Sequence, residues 1–423
     1  MNGSPGCLPL RACSRFVDKA EKQKTRQQER LRIAVVTETY PPEINGVAAT
    51  LGVMVHGMIA RGHSVEVIRP SQRSDRSGST RAPHAEVLVR GVPIPGYGSL
   101  RMGLPATRLL KKRWRTLRPD VVQVATEGPL GWSATRAARQ VGVPVASEFH
   151  TNFHAYSKHY GAGWLHGVIA RYLRNLHNAA ALTMVPTREL AESLSQRGFE
   201  RVTVVGRGID TALFDPRRRS ASLREAWGVT DDAPVVLHVG RLAPEKNLDL
   251  LFAAFDAMRA RCPRARLVVV GDGPERSRLA QRYPGHYFAG MRRGEALATH
   301  YASADIFLYP SLTETFGNVT LEAMASGLAV VAFDYAAARQ HIVHDVSGLL
   351  SPFGDAAAFV RHAATLADSW ESISRLRQAA RMVAQSADWK RVFDALEDAL
   401  FAAREYRPEG PAARGLRESG VAT

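Results

Sequence analysis

Cysteine is scarce in this sequence, and its scarcity excludes a large class of proteins. Only three cysteines occur in 423 residues, at Cys7, Cys13 and Cys262, and their spacing is not typical of a metal site. A disulfide-rich secreted framework is therefore excluded, and the composition predicts a reducing, cytoplasmic location.

Long apolar runs are also missing. No stretch approaches the ~20 apolar residues that a membrane-spanning helix needs. The first ten residues, interrupted by Pro5 and Pro9, lack the apolar core of a signal peptide. Hydrophobic residues nevertheless make up 45 % of a chain that is too long for one ordinary domain. We expect two buried cores and no helix that crosses a membrane.

Acidic residues are outnumbered, because 56 Lys and Arg face 40 Asp and Glu, giving a formal charge of +16. Such a balance attracts nucleic acid, an anionic membrane or a phosphorylated substrate. Arginine greatly outnumbers lysine, which also fits a high-GC genome. The net charge alone therefore does not select one of these partners. Since no recognition motif accompanies the basic residues, we expect no specific nucleic-acid partner.

Strand-like and helix-like segments alternate along the chain. Ile33 to Val36 is a continuous apolar run, typical of a central parallel strand. The strand–loop–helix–strand order that follows, with its helix predicted over roughly His56 to Arg61, indicates a doubly wound sheet. The pattern resets near GRGID, and a second series of the same kind starts at PVVLHVG. The predicted divisions are a disordered basic extension or an over-long translation start (1–30), a first Rossmann-like domain (31–205), a second one (206–385), a final amphipathic helix returning to the first domain (386–406) and a disordered tail (407–423).

Five residues are predicted to lie at the carboxyl edges of these sheets, where ligands of open α/β proteins bind. Gly46 follows the first strand, where phosphate could approach bare backbone, although one glycine also fits an ordinary turn. His150 ends a strand and suits a sugar hydroxyl or a structural role. Arg241 and Lys246 follow the first strand of the second series and together suit a diphosphate, with an ordinary solvated loop as the alternative. In the next edge loop, the backbone at Gly273 suits a flat base.

The stretch from Tyr309 to Ala329 carries two carboxylates around a turn. Glu314 is predicted in the loop and Glu322 in the first turns of the following helix. The backbone N–H groups of residues 316–320 then point out of the helix N-terminus, where they suit an oxygen-rich ligand. Carboxylates at that position suit sugar hydroxyls, while a helix cap and a solvated face remain the alternatives.

A basic amphipathic helix is predicted over Leu104 to Leu117. Leu110, Trp114 and Leu117 fall on one apolar stripe. The stripe either packs on the sheet or docks on anionic lipid. The candidate lipid contacts are Arg108, Lys111, Lys112, Arg113, Trp114 and Arg115.

Seven segments together resemble the retaining glycosyltransferases of family 4, which have the GT-B fold. In chain order they are ETYPPEINGVA, SEFHTNF, GRGIDTALF, GRLAPEKN, VVGDGP, FAGMRRGE and SLTETFGNVTLEAMASGLAVVA. The resemblance covers about Arg32 to Tyr406. It is strongest for GDP-mannose-dependent α-mannosyltransferases acting on glycolipids, with diacylglycerol glycosyltransferases as neighbours. It implies two Rossmann-like domains facing across a cleft, with the last helix crossing back to the first domain.

The resemblance also assigns roles. Arg241 and Lys246 would neutralise the leaving diphosphate, and the N–H of Gly46 would touch it from the first domain. Glu322 would bind the ribose, and His150 the outer hydroxyl of the sugar. The sugar hydroxyls would be held by Glu314 and the backbone of Thr315, Phe316, Gly317 and Asn318. The shape near Gly273 and Met291 would select the donor. Family members need no metal, so no metal or cofactor is expected beyond the nucleotide-sugar substrate.

The expected reaction is transfer of a hexose, in first place mannose from GDP-mannose, to a lipid or glycolipid acceptor with an α-linkage. A peripheral position on the inner face of the membrane would suit such an acceptor. The alternatives are a UDP-sugar-dependent diacylglycerol glycosyltransferase and a nucleotide-sugar epimerase of the same fold. An oxidoreductase is disfavoured because no complete GxGxxG follows the first strand. One departure from the family pattern is Arg207 in GRGID, where many relatives have Asn, and it is expected to lie away from the chemistry.

Overall fold

The computed structural model describes residues 29–43, 45–72, 75, 84–94, 97–150, 166–229 and 233–407. Within these residues, two separate parallel sheets form along the chain, each covered by helices. Strands such as Val121–Val124 and Val235–Val239 are buried along their whole length, as expected for parallel strands that are covered on both faces.

The first sheet and its helices occupy the amino-terminal half. The strands are β1 (Arg32–Val36), β2 (Ser64–Pro70), β3 (Ala85–Val89), β4 (Gly91–Ile94), β5 (Tyr97–Gly103), β6 (Val121–Val124), β7 (Val145–Glu148), β8 (Leu182–Val185) and β9 (Val202–Val204). The helices are α1 (Gly46–Ala60), α2 (Thr107–Leu117), α3 (Pro129–Val141), α4 (His166–Asn178) and α5 (Arg188–Gln196). Seven strands pair in the order β3-β2-β1-β6-β7-β8-β9, and β4 and β5 form a separate antiparallel pair.

The second sheet follows the same plan. Its strands are β10 (Val235–Val239), β11 (Arg266–Val270), β12 (Tyr287–Gly290), β13 (Ile306–Tyr309), β14 (Ala329–Phe333) and β15 (Leu349–Ser351). The helices of this half are α6 (Ala221–Ala226), α7 (Leu248–Arg261), α8 (Arg276–Arg282), α9 (Gly294–Ser303), α10 (Asn318–Ala325), α11 (Ala336–His341), α12 (Ala356–Leu366) and α13 (Trp370–Ser386). Short 3₁₀ turns occur at Pro216–Arg218 and Pro244–Lys246.

Both sheets reverse their strand order beside their first strand. The second sheet runs β12-β11-β10-β13-β14-β15, so the chain leaves β10 on one side and returns on the other. The equivalent point of the first sheet lies between β1 and β6. Ligands of open parallel sheets bind at the carboxyl ends of the strands at this reversal. The fold thereby fixes which loops can form a site.

The last helix, α14 (Trp389–Glu405), packs on the first domain, as predicted. Its residues Leu396 and Leu400 are fully buried in the same core as Ile33 of β1 and Leu51 of α1. The Glu397 carboxylate binds Arg61 at 2.6 Å and His63 at 2.9 Å. The chain therefore crosses between the domains a second time, and the two crossing segments pair where the Ile209 N–H donates to the Ala387 carbonyl at 3.0 Å.

The order of elements agrees with the sequence prediction, but some ends do not. The predicted helix at His56–Arg61 begins ten residues earlier, at Gly46, because Asn45 caps it by accepting from the Ala48 N–H at 2.8 Å. The division at residues 205/206 stays a prediction, with strands of the two sheets on either side of it. Most of the predicted basic extension (1–28) and nearly all of the polar tail (408–423) lie outside the described residues.

Candidate active site

The reversal point of the second sheet is formed by the loops that follow β10 and β13. The first loop contains Lys246 and the second contains Glu314. Hydrogen bonds join the loops, from Asn247 Nδ2 to the Pro310 carbonyl at 3.3 Å and from Thr313 Oγ1 to the Glu245 carbonyl at 3.2 Å. These bonds position the two sequence-predicted residues against each other.

Lys246 and Glu314 form an ion pair at the centre of this edge. Lys246 Nζ and the Tyr309 hydroxyl both contact Glu314 Oε1, and Ser311 Oγ donates to the same oxygen at 2.7 Å. The two charged side chains are only 14 % and 15 % exposed. Three donors thus hold one carboxylate oxygen, and an ammonium group is fixed beside it in a partly dry environment.

Glu322 lies in α10, beside this pair. The Tyr301 hydroxyl donates to its Oε2 at 2.9 Å. Burial raises the pKa of Glu322 to about 7, although the hydrogen bond from Tyr301 opposes that shift. The pKa of Tyr309 is raised well above its usual value by burial, with contributions from the negative charges of Glu314 and Glu322. Both carboxylates therefore raise the pKa of Tyr309, and the Glu322 carboxyl loses its proton near neutral pH.

The loop after β11 packs tightly on the loop after β10. Gly273 has a φ of +157°, and a Cβ at this position would lie 2.3 Å from the Leu242 carbonyl oxygen. Only glycine fits here without displacing backbone. Arg241, whose side chain is exposed, starts the same loop five residues before Lys246. Met291 follows the edge strand β12, which lies two strands away from β10. It is 44 % exposed.

The start of α10 faces the first domain. Thr315 Oγ1 donates to the His150 carbonyl at 2.9 Å, and Asn318 Nδ2 lies 3.3 Å from Thr50 Oγ1 of α1. A Cβ at Gly46 would lie 3.7 Å from the same Asn318 amide. Residues Gly46 and His150 of the first domain are thus brought to the edge that carries Glu314, across the space between the sheets.

Phe316 and Gly317 contribute to this edge in a different way from their neighbours. The Phe316 side chain is 5 % exposed and packs edge-on against His341, with ring centroids 6.0 Å apart. Gly317 has a φ of +90° and is the N-cap of α10. Only the backbone of these two residues is available to a ligand at this edge.

The His150 imidazole belongs to a buried charged cluster that sequence reasoning missed. Its Nε2 lies 2.8 Å from Glu148 Oε2, and its Nδ1 lies 3.4 Å from Arg207 Nη2. Burial alone would raise the pKa of Glu148, but the hydrogen bond from His150 and the charge of Arg207 hold it below its usual value. Glu127 accepts from the His150 N–H at 3.0 Å. The signal for Glu148 was available, because it is the last residue of β7 and precedes His150 by two positions, the spacing that places side chains on one side of an extended chain.

The expectation that Arg207 lies away from the chemistry is wrong. Its side chain is 6 % exposed, and its guanidinium lies 3.7 Å from Glu148, in addition to its contact with His150. The departure from the family pattern at this position therefore touches a candidate site residue directly.

The basic helix α2 is confirmed as an element, but Trp114 is wrong as a lipid contact. Trp114 and Leu110 are buried on the first sheet, at 1 % and 0 % exposure, in the same core as Val36. Leu117 does not share their environment and is 47 % exposed. Arg113 is held by Glu66, with its Nε 2.9 Å from Oε1. The apolar stripe packs inward because contact with the sheet removes its apolar surface from water.

The described part of the chain contains no cluster of three His, Cys, Asp or Glu side chains arranged to hold a metal ion. None of the described helices is both long and apolar enough to cross a bilayer.

Comparison with known proteins identifies the family of this chain. Residues 44–213 match the model of Glycosyltransferase Family 4, and residues 233–369 match that of Glycosyl transferases group 1. A GDP-mannose-dependent alpha-mannosyltransferase of Mycobacterium tuberculosis is 37 % identical, over 77 % of this chain and 85 % of that protein. The chain belongs to glycosyltransferase family 4. The sulfoquinovosyl transferase of Arabidopsis thaliana is 32 % identical over 71 % of this chain and 60 % of its own length.

Solved structures share the fold of this chain. Anabaena HepE in complex with UDP and glucose has a TM-score of 0.69 at 20 % identity, covering 88 % of this chain and 100 % of that one. Sucrose-phosphate synthase from Thermosynechococcus elongatus has a TM-score of 0.71 at 20 % identity and the same coverage. At these identities the likeness shows the fold alone, which is the two-domain GT-B architecture predicted from the sequence.

Proposed function

We propose that this glycosyltransferase moves mannose from GDP-mannose to a lipid or glycolipid acceptor, with retention and an α-linkage. The observation that carries the proposal is the Lys246–Glu314 pair at the reversal point of the second sheet, facing the first domain. The donor is inferred from relatives whose names specify GDP-mannose, at 31–37 % identity.

The charges at the edge of the sheet suit departure of a diphosphate. As the bond between the anomeric carbon and the diphosphate oxygen breaks, negative charge grows on the leaving group. Lys246 and Arg241 stabilise that charge, and the N–H of Gly46 reaches it from the first domain. The acceptor oxygen bonds to the anomeric carbon on the same face, and its proton passes to the departing phosphate oxygen, giving GDP.

Carboxylates and backbone groups hold the rest of the donor in this proposal. Glu314 and the backbone of residues 315–318 bind the sugar hydroxyls, and ionised Glu322 accepts from the ribose hydroxyls. His150 supplies a contact to the outer sugar hydroxyl. The polypeptide near Gly273 and Met291 surrounds the base.

The lipid acceptor implies contact with the inner face of a membrane. On α2, the residues proposed for this contact are Arg108, Lys111, Lys112 and Arg115, with Arg113 engaged by Glu66. Replacing Arg108, Lys111 and Lys112 by Ser should weaken co-sedimentation with anionic vesicles at low salt, since each basic residue near the surface contributes ~1 kcal/mol. Unchanged co-sedimentation would remove α2 from the proposal.

A second candidate is transfer from a UDP-sugar to diacylglycerol or its glycosides. It is favoured by the 32 % identity to the sulfoquinovosyl transferase and by 27 % identity to an alpha-monoglucosyldiacylglycerol synthase of Acholeplasma laidlawii. Both candidates use the same Lys246–Glu314 site, so they differ only in the base and sugar that the donor pocket accepts.

Thermal unfolding with each donor tests the proposal. GDP-mannose should raise the midpoint, whereas UDP-glucose, UDP-galactose and UDP-sulfoquinovose should not, because only a ligand of the folded state stabilises it. A shift with a UDP-sugar alone would select the second candidate. NMR of the donor incubated without acceptor should show no new sugar; a new one would indicate an epimerase.

A further inference from the structure

Three helices on one face of the first sheet share an unusual charge pattern. α2 and α3 pack over Val36 and Val122, and α4 packs beside them over Val185. These helices contain nine Lys and Arg residues, five in α2, two in α3 and two in α4, and not one Asp or Glu. On the opposite face, α14 alone carries four acidic residues. We call the surface formed by α2, α3 and α4 the basic face.

Apolar side chains are exposed on the same face. Trp132 of α3 is 40 % exposed, and Val168 and Ile169 of α4 are 62 % and 42 % exposed. On α2, Leu109 is 49 % exposed. Exposed aliphatic and aromatic groups interleaved with cations suit a bilayer surface, because the apolar groups enter the acyl region while the cations meet the headgroups. Nucleic acid would use the cations but leave the aliphatic groups in water.

A groove of about 580 Å³ lies between α3 and α4 within the basic face. Trp132, Tyr172 and Leu176 line it with apolar surface, and Arg136 and Arg139 stand along it. The Arg136 guanidinium lies 5.5 Å from the centroid of the Trp132 ring. In the described part of the chain, neither arginine forms an ion pair. The groove therefore offers an apolar wall and two cations without acidic partners among the described residues.

The groove connects to the candidate active site through hydrogen bonds. The Tyr172 hydroxyl donates to the Glu127 carbonyl at 2.7 Å, and the Glu127 carboxylate accepts from the His150 N–H at 3.0 Å. His150 in turn accepts from Thr315 through its carbonyl. A lipid seated in the groove is thus close to the first-domain side of the cleft.

We infer that the groove between α3 and α4 binds an anionic phospholipid of the bilayer, with its phosphate at Arg136 and Arg139 and an acyl chain along Trp132. This inference rests on the proposed lipid acceptor, and it assigns the membrane contact to α3 and α4 as well as to α2. The α2 contact of the proposed function uses only basic side chains, because Trp114 is buried, whereas the groove also needs apolar insertion.

Vesicle flotation of the full chain tests the inference without requiring donor or turnover. The groove variant carries Trp132→Ser, Arg136→Ser and Arg139→Ser. The matched control carries Trp370→Ser, Arg361→Ser and Arg391→Ser, in which Trp370 has a similar exposure of 44 %. On vesicles of phosphatidylcholine mixed with phosphatidylglycerol, the groove variant should bind at least about 25-fold more weakly than wild type, about fivefold for each of the two arginines. The control should bind like wild type.

Quenching by phosphatidylglycerol with brominated acyl chains gives a readout that charge alone would not move. The Trp132→Phe variant should lose part of the fluorescence quenching, whereas Trp370→Phe should keep it. Equal flotation of groove variant and control, or equal quenching in both Phe variants, would overturn the inference. So would a groove variant that loses binding to DNA while its vesicle binding is unchanged. Thermal shift with GDP-mannose, measured on the same proteins, tests the proposed function separately.

Discussion

Removing the Lys246 amine is the perturbation with the sharpest expected outcome. Lys246→Ala should lower turnover by about 10²-fold or more, the scale on which one preorganised charge-stabilising donor acts. That factor corresponds to ~2.7 kcal/mol of transition-state stabilisation. We expect the effect to be large because the ammonium group of Lys246 is held beside Glu314 in a site that is mostly dry, where electrostatic interactions are strong.

The same change has a limited effect on stability. Breaking an exposed ion pair costs 0–1 kcal/mol and breaking a buried one about 3–5 kcal/mol. Glu314 keeps its hydrogen bonds from Tyr309 and Ser311, so we expect a loss of about 1–2 kcal/mol in the free energy of unfolding. Thermal unfolding should therefore show that the variant is folded, and the loss of turnover would then not be caused by unfolding.

Release of GDP from GDP-mannose in the presence of membrane lipid extract provides the assay. Lys246→Arg should retain part of the activity because it keeps the charge, and Lys390→Ala, on the exposed start of α14, serves as the matched control. A Lys246→Ala protein that turns over at nearly the wild-type rate would refute the assignment of this lysine to the leaving diphosphate.

The other predictions concern Glu322, Gly273 and Arg207. Burial raises the pKa of Glu322 from 4.5 to about 7, so calorimetry should show affinity for GDP rising about tenfold more between pH 6 and 8 in wild type than in Glu322→Gln. Equal pH dependence would contradict the ribose assignment. Between these two pKa values the folded state holds a proton that the unfolded state has lost. The contribution of Glu322 to the free energy of unfolding is thus full below pH 4.5 and is lost as the pH rises through about 7. In urea titrations, Glu322→Gln should remove this dependence of stability on pH. Gly273→Ala should abolish the thermal shift by GDP-mannose, whereas Gly285→Ala, with no atom within 4 Å of its added Cβ, should keep it; a normal shift in Gly273→Ala would count against the loop. Arg207→Ala leaves Glu148 buried without its cation and should lower the free energy of unfolding by about 3 kcal/mol, so an unchanged urea midpoint would argue against that ion pair.

The succession of strands and helices along the chain could be predicted because parallel α/β units leave a strong alternation in the sequence. Apolar runs such as Ile33 to Val36 and Val235 to Val239 marked the central strands of both sheets, and the segments after them carried Gly46, Arg241 and Lys246. The carboxyl-edge rule then placed those residues correctly relative to the sheets. The start of α1 was missed because a single side-chain cap, Asn45, decides it.

Contacts that join distant parts of the chain could not be predicted. Arg207 reaches Glu148 and His150 across more than fifty residues, and no local pattern indicates which buried carboxylate a lysine or arginine will meet. The apolar stripe of α2 was visible, but the sequence could not tell whether Trp114 would face the sheet or a membrane. Helical spacing gives the direction of a stripe, whereas its partner depends on the tertiary structure.

A crystal structure with GDP-mannose bound tests the central claim most directly. The account predicts diphosphate oxygens within hydrogen-bond distance of Lys246 Nζ and the Arg241 guanidinium, and sugar hydroxyls at the Glu314 carboxylate. A nucleotide bound on another surface, with the Lys246–Glu314 edge not in contact with it, would contradict the account.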